Sequence, residues 1–288
     1  MILNGDSFKI HHGDCITHMA EEMPPDSMDF AVFSPPFPSL YAYTSEDCDL
    51  GNTDTVNVEA HIHLSFFYNA LRRVLKPGRV AIVHVCQIPR MARTGQTGMC
   101  DFRGLNIRIG ERAGLVYEYD WLIPKNPQAQ AIRTRSRSLQ FNGLESDRAK
   151  QRGAIPDYLI KFRVPGENAI PIRAKGQVSR NQWIDWAEAV WSGIRETHTL
   201  NTARAKGEED TKHICPLQLD VIDRCVRLFS DPGEIVFSPF AGIGSEGYVA
   251  LKRGRRFYGC EIKDEYHAEA NRNIKSVESD NVQQPDLF

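Results

Sequence analysis

Residues Glu234–Glu261 read EIVFSPFAGIGSEGYVALKRGRRFYGCE. Glu234–Phe237 is a short apolar strand, and Ser238-Pro239-Phe240 carries the chain out of it. Gly242, Gly244 and Gly247 follow in the spacing G-x-G-x-x-G. Gly244–Arg253 reads as a helix and Arg256–Glu261 as a second strand. Strand, glycine-rich turn, helix and strand within about thirty residues form a βαβ unit. The glycines permit a tight turn and let a ligand approach the backbone closely. Glu261 closes the second strand 19 residues after Gly242, where a carboxylate can accept hydrogen bonds from both hydroxyls of a ribose.

Two cofactors suit this geometry, a dinucleotide and S-adenosylmethionine, and position decides between them. A dinucleotide fold opens with such a unit and needs further strands after it, but the chain of 288 residues ends soon after Glu261. The remaining strands must come from the N-terminal part, in permuted order. Asp29–Phe33 (DFAVF) is a short buried strand there. Ala60–Leu75 reads as a helix stopped by Lys76-Pro77-Gly78, and Arg79–Cys86 (RVAIVHVC) as a strand. Phe102–Ala113 is a helix, Val116–Ile123 a strand, Tyr158–Arg163 a strand and Leu217–Phe229 a helix. Asp264–Ile274 is a last helix. Residues 38–56 read as a surface loop.

The strand Asp29–Phe33 runs directly into Ser34-Pro35-Pro36-Phe37. Pro-Pro cannot continue a central strand, so the chain leaves the sheet there. By itself this is a structural turn, but the tetrad also has a chemical logic. An exocyclic amino group on a base is a poor nucleophile because its lone pair is delocalised into the ring. A side-chain acceptor and a preorganised backbone carbonyl can each hold one N–H while the nitrogen pyramidalises. An aromatic ring in the fourth place can stack on the face of a base taken out of the helix.

The tetrad at 34–37, followed in the chain by Phe237-Ser238-Pro239-Phe240-Ala241-Gly242-Ile243-Gly244-Ser245, resembles the β-class DNA amino-methyltransferases. Three further stretches agree: His12-Gly13-Asp14-Cys15, Asp210-Thr211-Lys212-His213 with Pro216, and Arg255-Arg256-Phe257-Tyr258-Gly259-Cys260-Glu261-Ile262. The resemblance covers residues 10–90 and 205–275. It implies a three-layer, Rossmann-like α/β fold with a mostly parallel sheet, a permuted motif order and an inserted recognition region. It implies that Ser34 and the Pro35 carbonyl hold the target amino group, with Pro36 in the same rigid turn, and that Phe37 stacks on the flipped base. Phe240, Gly242, Gly244 and Ser245, with Ser238 and Ala241 in the same turn, would line S-adenosylmethionine. Glu261 would take its ribose, Asp14 would lie near its adenine and His213 near its methionine carboxylate. Ser238 stands where the family has Asp, Ser245 where it has Thr, and Phe37 where Tyr is commoner. Cys215-Pro216-Leu217-Gln218 is a loose form of the family's H-P-x-x-K-P. The sulfonium is a strong electrophile, so no general base is assigned and catalysis is read as positioning and desolvation.

Charge points the same way. Lys and Arg number 35, Asp and Glu 37, for a net charge of −2. Residues 130–180 nevertheless hold eleven Lys and Arg against Glu145, Asp147, Asp157 and Glu167, the footprint of a polyanion partner. In the family the region between the two motifs reads the DNA target. The expected domains are therefore 1–90 with 181–275 for catalysis, 91–180 for recognition and 276–288 as a flexible tail. Arg133, Arg135 and Arg137 would share one face of a strand and touch double-stranded DNA. Trp183, Trp186 and Trp191 are read as core.

Seven scattered cysteines, without a C-x-x-C pair, suit a reducing cytoplasm. No metal site is read from His11, His12, His61 or His63. No stretch approaches the ~18 apolar residues of a membrane span, and the N-terminus lacks a secretory pattern. By resemblance the protein is a homodimer acting on DNA, adenine N6 ahead of cytosine N4, and any cognate nuclease is a separate chain. Competing readings are an RNA or protein amide methyltransferase, a dead methyltransferase turned DNA-binding regulator, and an NAD-dependent oxidoreductase. Protein glutamine methyltransferases carry their N-P-P-Y after the cofactor motif, the opposite order. The intact glycines, tetrad and Glu261 argue against a dead copy, and the permuted order against the oxidoreductase.

Overall fold

The computed structural model describes residues 2–38, 49, 51, 59–90, 98–134, 144, 145, 147–173, 176–203 and 216–283. Its strands are β1 (Phe8–His12), β2 (Met28–Phe33), β3 (Leu75–Cys86), β4 (Ile88–Arg90), β5 (Gly98–Cys100), β6 (Val116–Ile123), β7 (Asp157–Arg163), β8 (Ile235–Ser238) and β9 (Arg256–Glu261). Seven of them form one sheet in the order β1-β9-β8-β2-β3-β7-β6, and β4 pairs with β5 beside it. Pairing is parallel from β1 through β3, while β7 and β6 join antiparallel.

The apolar strands explain why this sheet is buried on both faces. Every residue of β2 is buried. Phe30 and Val32 enter the core on one side, and Ala31 and Phe33 the core on the other. In β3, Val80 and Ile82 repeat the first set, and Ala81 and Val83 the second. Each large apolar side chain so buried contributes about 1.5–3 kcal/mol. Helices α2 (Glu59–Val74) and α3 (Phe102–Arg112) cover one face with Leu64, Phe67, Leu71, Leu105 and Ile109. Helices α6 (Leu219–Phe229), α7 (Ser245–Lys252) and α8 (Asp264–Gln283) cover the other with Val221, Ile222, Val249, Ala270 and Ile274. The result is the three-layer α/β architecture expected.

Charges at the amino ends of the central strands serve the scaffold. Buried Asp29 accepts from the Ile235 amide at 2.8 Å and from Lys76 Nζ at 2.5 Å. The buried Arg79 guanidinium lies 3.4 Å from Asp29 and also binds Glu234. Together they tie β2, β3 and β8.

The structure revises several expectations. Strand β1 and helices α4 (Pro127–Thr134) and α5 (Arg180–Trp186) were not expected, and α8 continues to Gln283 through most of the supposed tail. Region 91–180 also contributes elements to the common sheet and its helical layers. It supplies α3 and the antiparallel pair β6 and β7, whose Leu159, Ile160 and Phe162 are buried in the two cores. Trp186 and Trp191 are core as expected, the Trp191 ring 5.2 Å from Trp121. Trp183 is not: α5 turns it outward, 64% exposed. Among the described residues no helix is long and apolar enough to cross a membrane.

Candidate active site

From β8 the chain crosses through α7 to β9 on one side; from β2 it crosses through α2 to β3 on the other. The topological switch point therefore falls between β8 and β2. In open α/β sheets a crevice opens there, outside the carboxyl ends of the strands. Ala31 of β2 stands opposite Phe237 of β8, so the glycine turn and the Ser-Pro-Pro-Phe turn leave adjacent strands at the same edge.

The glycine side is built around Glu261. Its Oε2 accepts from the Gly242 amide at 2.7 Å and its Oε1 from the Lys263 amide at 3.0 Å. Gly242 and Gly244 have φ of 52° and 84°, the left-handed region that disfavours side chains. A Cβ on Gly244 would come within 3.0 Å of the Ala270 backbone, whereas one on Gly242 would meet none of the described residues within 4 Å. Gly244 is thus needed for packing, and Gly242 borders open space. The Oγ atoms of Ser238 and Ser245 are buried without a hydrogen-bond partner among the described residues, and Ala241 of the same turn is buried too. Burial pushes the Glu261 carboxyl up to about 7, with Asp49 adding repulsion. Burial likewise pushes the neighbouring Glu246 up to about 8, with Glu261 adding to it. Phe240 packs its ring 5.0 Å from Phe67 and 5.9 Å from Phe33, anchoring the turn to the core.

Asp14 follows β1, whose His12 pairs with Glu261. Its carboxylate caps the short helix α1 (Cys15–Thr17), accepting from the Ile16 amide at 3.1 Å, the Thr17 amide at 2.9 Å and Thr17 Oγ1 at 2.6 Å. His213 lies outside the described residues.

The other wall of the crevice carries a chain of polar contacts. Pro35 is buried; Ser34, Pro36 and Phe37 are half-buried. The Phe37 ring lies 5.6 Å from that of Phe102. Ser34 Oγ is 3.3 Å from His84 Nδ1, and His84 Nε2 is 2.9 Å from Asp157 Oδ2. Lys125 Nζ lies 2.5 Å from the same carboxylate oxygen. Burial works to raise the Asp157 carboxyl, but His84 and Lys125 outweigh it and hold it below the usual range. His84, Asp157, Lys125 and Asp49 belong to none of the motifs in the sequence. For His84 one signal was present: it is the one polar residue in the run VAIVHVC.

Arg133 falls in helix α4, and Arg135 and Arg137 lie outside the described residues. Part of the basic stretch is also neutralised within the sheet, where Lys161 and Arg163 pair with Glu118 at 2.8 and 2.5 Å. Among the described residues one group, His11, His18 and Glu22, brings possible metal ligands within 4.8 Å of one another. The two imidazoles are stacked, centroids 3.6 Å apart and 9° from parallel. Imidazole lone pairs lie in the ring planes, so rings stacked in this way cannot both point at one ion.

The glycine side fits S-adenosylmethionine. It offers two buried hydroxyls without partners, a carboxylate for a ribose, open space beside Gly242 and buried acids suited to a cationic ligand. Comparison with known proteins agrees. The DNA methylase family model, covering N6 and N4 amino-methyltransferases, matches residues 28–272. The type II methyltransferase M.BglII of Bacillus subtilis is 26% identical over 295 residues, spanning 97% of this chain and 72% of that protein. Among solved structures, the DNA modification methylase TTHA0409 of Thermus thermophilus, complexed with S-adenosyl-L-methionine, superposes with a TM-score of 0.69. It is 19% identical and 94% of each chain is covered. The cytosine-N4-specific PvuII DNA methyltransferase superposes with a TM-score of 0.64 at 16% identity, covering 95% of this chain and 91% of that one.

A permuted α/β sheet with both motifs at one switch point defines the class, a methyltransferase of Rossmann-like fold. Within it, this chain belongs to the DNA methylase family of N6-adenine and N4-cytosine amino-methyltransferases, with S-adenosylmethionine as cofactor.

Proposed function

We propose that this protein methylates the exocyclic amino group of a base flipped out of double-stranded DNA, adenine N6 being the first target. The observation that carries the reading is the meeting of the Ser-Pro-Pro-Phe and glycine-rich turns at the ends of adjacent strands. When bound, S-adenosylmethionine supplies an electrophilic methyl group on a sulfonium. Ser34 Oγ and the Pro35 carbonyl accept the two N–H bonds of the amino group, and Pro36 keeps that carbonyl fixed. Phe37, held by Phe102, stacks on the base. Glu261 accepts from the ribose hydroxyls, while Ser238 and Ser245 offer their unpartnered hydroxyls to the cofactor.

Since β6 and β7 belong to the sheet, the recognition region narrows to 124–156 with 164–180. Arg133, Arg135 and Arg137 remain the proposed contacts to DNA, phosphate contacts giving affinity and salt dependence. The reading includes a homodimer in the cytoplasm, checked by light scattering.

Cytosine N4 is the second reading. It is favoured by serine in the first place of the tetrad and by the fold shared with the PvuII enzyme. Both bases present the same N–C=N edge, so the tetrad alone does not choose. The test is incubation with unmethylated genomic DNA and S-adenosylmethionine, then digestion and mass spectrometry of the nucleosides. N6-methyladenine is the expected product; N4-methylcytosine selects the second reading. Neither, with cofactor bound, sinks the assignment to DNA.

A further inference from the structure

The contacts Ser34–His84–Asp157–Lys125 join four elements. Ser34 follows β2, His84 lies on β3, Asp157 opens β7, and Lys125 follows β6. The register brings them together: Phe33 pairs with Val83, and His84 with Leu159. The side chains of His84, Asp157 and Lys125 are only 12%, 10% and 12% exposed. A buried polar chain of this kind needs every member satisfied. A scaffold tie is the plain alternative, but a scaffold tie does not require one end to be the hydroxyl at the tip of the tetrad.

We propose that His84 is a positioning residue that makes Ser34 an obligate hydrogen-bond acceptor for the target amino group. The inference rests on the reading of Ser34 given above. A serine hydroxyl has one proton and two lone pairs, and either can face a ligand. An amino group whose lone pair must attack a methyl carbon needs acceptors on its N–H bonds, never a donor. Asp157, an anion beside His84 Nε2, holds the ring proton on that nitrogen. Nδ1 is then bare and accepts the Ser34 hydroxyl proton. With that proton committed, the lone pairs of Ser34 face the crevice. Lys125 balances the charge of Asp157, so the carboxylate fixes the tautomer without taking the proton. Asp157 from β7 faces His84 directly, Lys125 stands behind it, and Cys86 lies two residues further along β3.

Three measurements test this. Nitrogen NMR of the full-length protein without ligand should show His84 protonated on Nε2 and bare on Nδ1; the opposite tautomer overturns the proposal. His84→Ala should lower kcat about ten- to hundredfold, while cofactor Kd and KM for DNA change less than about threefold. His84→Asn, which keeps an acceptor near the Nδ1 position, should recover part of the rate lost in His84→Ala. A His84→Asn rate no higher than that of His84→Ala, or full turnover in His84→Ala, overturns the proposal. If His84→Ala does not fold, the NMR tautomer and the His84→Asn rate against wild type decide alone, full wild-type turnover with the opposite tautomer overturning the proposal. Ser34→Ala separates the two readings. If it methylates at the wild-type rate, the role of Ser34 itself is wrong. If it is inactive while His84→Ala is not, only the inference about His84 fails.

Discussion

Two walls of one crevice treat their carboxylates in opposite ways. On the glycine side Glu261 and Glu246 are buried, Glu261 meets backbone amides, and their pKa values rise to about 7 and about 8. On the tetrad side Asp157 is as well hidden but lies between His84 and Lys125, and its pKa falls. The first wall holds acids whose charge is costly until a cation arrives. The second is neutralised from within, so its polarity is set before any base enters. Preorganised polarity at the reacting group lowers the barrier, whereas unbalanced charge at a ligand site favours binding. On the proposed reading, turnover therefore belongs to one wall and cofactor affinity to the other.

Four changes would break or sharpen that division. Ser34→Ala on the tetrad wall should lower turnover by about a hundredfold or more, with cofactor affinity by calorimetry unchanged. A weakened affinity of similar size would merge the two walls. Glu261→Ala on the glycine wall should raise the cofactor Kd by about tenfold, with a smaller change in kcat at saturation. Reversing Arg133, Arg135 and Arg137 to Glu should weaken DNA binding and flatten its salt slope by up to about 3, leaving cofactor affinity intact. A constant slope would move the DNA interface elsewhere.

The smallest effect concerns stability. Glu246 and Glu261 have folded-state pKa values above their ordinary 4.5. Their contribution to stability is complete below about 4.5 and is lost as pH rises through about 7 and about 8. The ligand-free protein should melt at lower temperature at pH 8.5 than at pH 6. Glu246→Gln should shrink that difference by about a few degrees. A larger pH dependence in Glu246→Gln would contradict the buried-acid account.

What was legible in the sequence is what repeats locally. The apolar run DFAVF, the helix–strand pair after it and the whole unit from Glu234 to Glu261 announce themselves by periodicity and glycine spacing. Val116–Ile123 and Arg256–Glu261 fall where they were read. Strand β1 escaped because FKIHH buries only Ile10 outright. Helix α4 escaped because PQAQAIRT sits in a polar, arginine-rich stretch that reads as loop. The pair β6 and β7 was assigned to recognition because sequence position cannot show that two distant strands close the edge of a sheet. The same limit hid the polar chain. His84, Asp157 and Lys125 are far apart in sequence, and only register across β2, β3 and β7 unites them.

The most direct test of the two-wall account measures Ser34→Ala and Glu261→Ala side by side: cofactor Kd by calorimetry, and single-turnover methylation of unmethylated DNA at saturating S-adenosylmethionine. The account predicts that Ser34→Ala keeps the Kd and loses the methylation rate, while Glu261→Ala weakens the Kd and keeps most of the rate once saturated. If both variants lose affinity and rate together, the division between the walls is wrong.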